Sequence, residues 1–184
     1  EAKGLNIRQH EIEDLPWGGK FAFYWCIVGG AIDNRYIGAI KKGIMSQLKN
    51  GPLTGSPCQN VRVSVYDGKM HSVDSNDISF QLAAAGAFKE AFENAHPQLL
   101  EPMYHVEILC PDDATGDVMG DLQTRRAMIS GMDSEGHYQK IMAEVPLAEL
   151  DDYGSQLRSI TGGKAKFSMK FSDYQLVPGN VQQD

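Results

Sequence analysis

From Met103 to Phe171 the hydrophobic period changes in a single order. Met103 to Cys110 reads as a strand. Pro111-Asp112-Asp113 opens a helix that reaches about Ala127. Met128 to Met132 and His137 to Val145 read as two strands joined by "DSEG". Pro146 stands in the first turn of another helix, where its missing N–H costs nothing. Leu147, Leu150, Leu157 and Ile160 share one face of that helix. Gly162-Gly163 stops it, and Ala165, Phe167, Met169 and Phe171 alternate in a last strand. The order β-α-β-β-α-β is the split βαβ arrangement, which predicts an α+β domain of ferredoxin-like type.

The first half follows a different pattern. Ile37, Ile40, Ile44 and Leu48 recur at helical spacing and predict a helix over Arg35 to Lys49. Asn50-Gly51-Pro52 ends it, with Gly available for a left-handed cap and Pro unable to continue. Val61, Val63 and Val65 alternate with Arg62, Ser64 and Tyr66, the pattern of a half-buried strand. Asp67-Gly68 is a two-residue hairpin signal, so a return strand is expected over Met70 to Val73. Asp74 or Ser75 is the expected cap of a second helix reaching about Ala95. Its expected apolar face is Ile78, Leu82, Ala85, Phe88, Phe92 and Ala95. His96-Pro97 ends it, and the pattern changes at "LLEP". Two domains are therefore expected, 1–101 and 102–184.

Bulk properties exclude several classes. No run of 18 apolar residues exists, so no transmembrane helix is expected. The polar, acidic start "EAKGLNIRQHEIED" does not read as a secretory signal. Cys26, Cys58 and Cys110 are odd in number and widely spaced, which suits reduced thiols in a cytoplasmic protein. The formal net charge of −7 argues mildly against a nucleic-acid binder, although a sum says nothing about local patches. No G-x-x-x-x-G-K-[ST] occurs, so the chain has no Walker-type nucleotide loop.

The segment "VYDGKMHSVDSND" gathers His71, Asp74 and Ser75 within five residues. A catalytic triad would need these groups in a relay with a separate nucleophile, and no nucleophile elbow is present. A metal site needs three or four ligands at recognisable spacing, and the five histidines are scattered. Neither a catalytic nor a metal site is expected. Taken alone, His71 reads as a solvated loop residue. A second loop, "IVGGAIDNRY", also runs into a helix start. If the two helices lie side by side, their unpaired N–H groups meet at one end and suit phosphates. Gly29 and Gly30 would allow close backbone approach, or would simply bend the chain into the helix.

Quoted in order, the motifs of this chain resemble the fourth and fifth domains of translation elongation factor G. They are "GG-x-I-x-x-x-YI-x-A-x-x-x-GI" (Gly29 to Ile44), "GPL-x-G-x-P" (Gly51 to Pro57) and "DG-x-x-H-x-VDS" (Asp67 to Ser75). "AFKEAF", "LLEP", "GDV-x-GDL-x-x-RR" (Gly116 to Arg126), "AEVPLAE", "Y-x-x-x-LRS-x-T-x-G" and "F-x-M-x-F-x-x-Y-x-x-VP" complete the series. The resemblance implies a ribosomal-protein-S5-domain-2-like lobe followed by a ferredoxin-like domain. It implies that Gly29, Gly30, Ile32, Asp33, Asn34 and His71 form a tip that contacts RNA at the small-subunit decoding site, beside tRNA and mRNA. Asp74 and Ser75 would fix that tip by capping. The second domain would face the GTPase-associated region of the large subunit. Gly116 and Gly120 are expected to let their helix approach the sheet. Arg125 and Arg126 would either pair with carboxylates or contact ribosomal RNA.

The chain also departs from the resemblance. The family commonly has proline at Asp33, glutamate at Arg35 and Phe-Gly at Asp151-Asp152. These changes suggest a specialised copy. The family's opening domain-IV strands and its GTPase domain have no counterpart here, which implies a piece of a longer protein with an exposed sheet edge. No cofactor is expected in this piece, whereas GTP and magnesium are expected in its parent. No membrane or DNA partner is implied. A tetracycline-resistance-type ribosomal protection factor is the near alternative. A free-standing phosphate-ester enzyme and a plain protein-interaction module are more distant ones.

Overall fold

The computed structural model describes residues 4–182, which divide into two compact units at Pro97/Gln98. The first unit contains a three-stranded sheet of order β1-β2-β3 and two helices. β1 (Gln9–Asp14) and β2 (Lys20–Trp25) form an antiparallel hairpin. Its turn uses Gly18 and Gly19 at φ of 95° and 78°, a region glycine enters without steric cost. β2 is followed by α1 (Ile37–Lys49) and then β3 (Val61–Val65), which pairs with β2 in parallel. α2 (Asp77–Asn94) packs on α1.

The core of this unit is largely aromatic. Phe21, Phe23 and Trp25 alternate along β2 and are all buried. They meet Ile40, Ile44 and Leu48 from α1 and Phe80 and Phe88 from α2. Each such side chain, fully removed from water, contributes about 1.5–3 kcal/mol before ordering costs are subtracted.

Three expectations are corrected here. The return strand over Met70 to Val73 does not form: residues 70–73 are loop and turn, and among the described residues β3 pairs only with β2. Gly68 also lacks the positive φ that a tight hairpin turn requires. The apolar face of α2 agrees with expectation at Phe88, which is buried, and at Phe92, which packs on the core, but its first turns differ: Phe80 is buried, whereas Ile78 and Leu82 are 70% and 67% exposed. The sequence assigned no element before residue 35, yet β1 and β2 lie there. Among the described residues β3 pairs on one side only, and its other edge opens on a groove. Val63 and Val65 line the groove from one side, and Ala83, Ala87 and Ala91 of α2 from the other.

The second unit is a four-stranded antiparallel sheet of order β5-β6-β4-β7. Its elements are β4 (Leu100–Pro111), α3 (Thr115–Thr124), β5 (Met128–Glu135), β6 (Tyr138–Pro146), α4 (Tyr153–Thr161) and β7 (Lys166–Leu176). This is the expected β-α-β-β-α-β order, with β4 starting at Leu100 rather than Met103. Val106, Ile108 and Cys110 of β4 and Ile141, Ala143 and Val145 of β6 point to one face. Val118 and Leu122 of α3 and Leu150, Tyr153 and Leu157 cover that face. Gly162 closes α4 at φ 58°, the left-handed cap that the glycine pair predicts.

The two helices of the first unit touch where α1 carries Gly43. A methyl there would collide with the carbonyl oxygen of Gln81. Gly86, on the outer side of α2, meets nothing. Gly43→Ala should therefore destabilise the unit by about 1–3 kcal/mol, overpacking outweighing the gain in helix propensity. Gly86→Ala should stabilise it by about 0.5–1 kcal/mol. Denaturant titration of both variants checks the opposite signs.

Candidate functional site

The loop 28–36 and the loop 66–75 meet beside the starts of the two helices. Ile32, at the centre of the first loop, is 5% exposed and packs against Gly68, where a side chain would collide with it. The Asp33 amide donates to the Met70 thioether, N···S 3.3 Å. Tyr36 joins the loops from below. Its ring stacks on Phe80 at 4.3 Å, and its hydroxyl donates to the Ser75 carbonyl at 3.0 Å. Trp25 Nε1 donates to Asn34 Oδ1 at 3.1 Å, tying the first loop to the end of β2.

Capping fixes the entry to each helix. Asp33 Oδ1 accepts from the Arg35 amide at 3.0 Å, capping the short 3-10 turn Asn34–Tyr36 that leads into α1. The cap of α2 is Asn76, whose Oδ1 accepts from the Ser79 amide at 2.9 Å. Neither Asp74 nor Ser75 caps the helix as the sequence suggested. They close the loop before it instead: Ser75 Oγ accepts from the His71 amide at 2.7 Å, and Asp74 O accepts from Ser79 Oγ at 2.9 Å. The chain needs one more residue to turn from that closed loop into the helix, so the cap shifts to Asn76.

His71 stands outward, with its side chain 67% exposed and Nδ1 3.2 Å from Asp74 Oδ2. Ser75 Oγ is held by the His71 amide rather than by the imidazole, so His71, Asp74 and Ser75 form no catalytic relay. Among the described residues no group of three or more His, Cys, Asp or Glu could hold a metal ion. Gly29 and Gly30 sit at φ 67° and 69° with open space around each α-carbon, so their positive φ is needed for the turn itself. Gly29, Gly30, Asp33, Asn34 and His71 are exposed at this end of the unit, whereas Ile32 is an internal anchor and presents nothing to a partner. Sequence reasoning missed the roles of Tyr36, Met70 and Asn76. Tyr36 and Met70 act through partners 39 and 37 residues away. Asn76 acts through a one-residue shift that no local pattern reveals.

The arginine pair of the second unit is spent internally. Arg125 donates to Asp121 at 2.9 Å, to the Glu149 carbonyl at 2.6 Å and to Asp152 at 3.2 Å. Its guanidinium also lies over the Tyr153 ring at 5.0 Å. Arg126 grips Glu101 with both terminal nitrogens, at 2.7 and 2.9 Å, and reaches Glu149 with Nε at 2.8 Å. These carboxylates hold both guanidinium groups in the charged form beyond their ordinary range. Of the two roles open at the level of sequence, carboxylate pairing is the one found. Gly116 and Gly120 face open space on the outside of α3, so they do not bring that helix close to the sheet. Burial raises the Tyr153 hydroxyl above its ordinary pKa, and among the described residues that hydroxyl has no hydrogen-bond partner.

The comparisons with known proteins agree with these two units. The model of elongation factor G domain IV matches residues 8–96, and that of the elongation factor G C-terminus matches residues 98–184. The chain belongs to the elongation factor G family. It is 46% identical over 174 residues to the elongation factor G-like protein of Thermotoga maritima, covering 94% of this chain and 26% of that protein. It is 46% identical over 173 residues to elongation factor G of Aquifex pyrophilus, covering 94% and 25%. A crystal structure of a Thermus thermophilus protein superposes with a TM-score of 0.77 at 38% identity, covering 96% of this chain and 30% of that one. The chain thus spans about a quarter of the length of these curated relatives. Among the described residues no helix is long and apolar enough to cross a membrane.

Two stability measurements check the site geometry. Asn76→Ala should cost about 1 kcal/mol by removing the helix cap, whereas Asp74→Ala, on the exposed loop, should stay within about 0.5 kcal/mol. Equal losses would place the cap elsewhere. Arg126→Ala leaves Glu101 and Glu149 without their shared cation and should cost about 1–3 kcal/mol, read from denaturant midpoints.

Proposed function

We propose that this chain is the ribosome-engaging part of an elongation-factor-G-like translation factor. In this reading the paired loops of the first unit enter the decoding site of the small subunit and promote movement of tRNA and mRNA. The second unit faces the GTPase-associated region of the large subunit. GTP and magnesium belong to the longer parent protein, which works in the cytoplasm. What supports the reading most is the construction of the loop pair. Ile32, Tyr36 and Ser75 lock two loops into one surface, and the exposed imidazole of His71 stands on it. A rigid surface can press on folded RNA without losing much conformational entropy on contact.

His71 is suited to this role because an imidazole both donates and accepts hydrogen bonds. Its Nδ1 lies beside Asp74, which leaves Nε2 as the nitrogen free for a partner.

The test replaces the matching segment of Aquifex pyrophilus elongation factor G with this chain and times single-round translocation. The chimera should translocate. His71→Ala within it should slow the step by about tenfold or more, the loss of one hydrogen bond to a charged group being worth about 1.5–3 kcal/mol. Melting of the variant should match that of the parent chimera. Equal translocation rates with and without the imidazole would remove the mechanical reading. Release of a ribosome-bound tetracycline without translocation would favour the protection-factor alternative.

A further inference from the structure

We infer that Arg35 is a preorganised phosphate anchor on the same loop pair that carries His71, an inference that rests on the functional reading above. Its side chain is 69% exposed, yet it is held in place. One terminal nitrogen donates to the Tyr36 hydroxyl at 2.8 Å, and the guanidinium carbon lies 4.7 Å from the centre of the Tyr36 ring. Tyr36 in turn donates to the Ser75 carbonyl, so its hydroxyl is polarised in one direction along Arg35, Tyr36 and Ser75. Ser75 Oγ receives the His71 amide. Arg35 and His71 are thereby fixed to the same hydrogen-bonded chain, although they come from different loops.

A guanidinium has five N–H donors in a planar fork. Here one is committed to Tyr36. Asp33 Oδ2 lies 3.9 Å from Nε, too far for a hydrogen bond. The remaining donors face solvent, and their geometry matches a phosphate taken by two parallel bonds. The surrounding charge makes this residue decisive. Across residues 28–36 and 66–77 the fixed charges are the carboxylates Asp33, Asp67, Asp74 and Asp77 against Arg35 and Lys69. Such a surface does not attract RNA at long range. An RNA backbone can settle on it only where a positioned cation offsets the nearby acids, and Arg35 is the cation with a fixed orientation.

The test measures binding of the 184-residue chain to ribosomes across roughly 50–200 mM salt, for the native sequence and for Arg35→Ala, Arg35→Lys and Arg35→Glu. Arg35→Ala should weaken binding by about fivefold to tenfold and lower the slope of log affinity against log salt by about 0.7–0.9, the value for one phosphate contact. Arg35→Lys should keep the slope and lose about threefold in affinity, because it keeps the charge without the fork. Arg35→Glu should bind most weakly. Circular dichroism and melting should be the same for all four proteins. Repeating the series on vacant ribosomes and on ribosomes carrying mRNA and tRNA assigns the phosphate: an Arg35 effect present on both points to ribosomal RNA, and one confined to the loaded ribosomes points to mRNA or tRNA. Binding by the native chain with an unchanged slope for Arg35→Ala overturns the anchor and leaves the wider reading standing. Absence of ribosome binding by the native chain overturns both.

Discussion

Tyr36 is the contact on which the candidate site depends. It is 3% exposed, stacked on Phe80 of α2, and bonded through its hydroxyl to the loop that precedes α2. The residue belongs to the turn entering α1, so one side chain couples both helix starts to the aromatic core. Gly43 makes that coupling possible, because the close crossing at Gln81 brings α2 near enough for the ring to stack. Core packing and loop geometry are therefore one mechanical system. The rigidity of the exposed surface derives from buried area several residues away.

The second unit reaches order by another route. Its sheet and helices form a mostly aliphatic core around the buried Tyr153, while the segment after α3 is held by ion pairs. Arg126 adopts φ 55°, an uncommon conformation for a residue with a side chain. Its three hydrogen bonds to Glu101 and Glu149 stabilise that bend and tie the end of α3 to the start of β4. A basic pair that looks available for nucleic acid in the sequence is consumed by acids brought close in the fold. This distribution of charge concentrates the case for RNA contact on the loop pair of the first unit, where Arg35 and His71 remain outward.

An acidic protein that engages RNA needs short-range contacts rather than a broad positive field. Electrostatic steering scales with the summed charge, and here the sum is −7. Contact made by a few oriented donors is compatible with that sum, provided the donors are held before the partner arrives. The hydrogen bonds around Tyr36 and Ser75 supply that holding. The same logic explains why Ile32 is buried: an apolar anchor inside a loop restricts it without adding charge.

Periodicity alone determined much of this molecule. The β-α-β-β-α-β order of the second unit, α1 with its Ile40, Ile44 and Leu48 face, and the Gly162 cap all follow from contacts between residues near one another in sequence. The exposed loop residues Gly29, Gly30 and His71 were also legible, through motif order. Tertiary structure decided the rest. β1 has almost no apolar alternation, so only its pairing with β2 marks it as a strand. The choice of Phe80 over Ile78 and Leu82 in the first turns of α2 was set by where α1 lies, and α2's alanine-rich surface gives only a weak local preference for either face. Whether Arg125 and Arg126 met carboxylates or stayed free depended on residues up to 27 positions away. Such partners are chosen by the packing of whole elements, and a one-dimensional pattern carries no information about distances across a core.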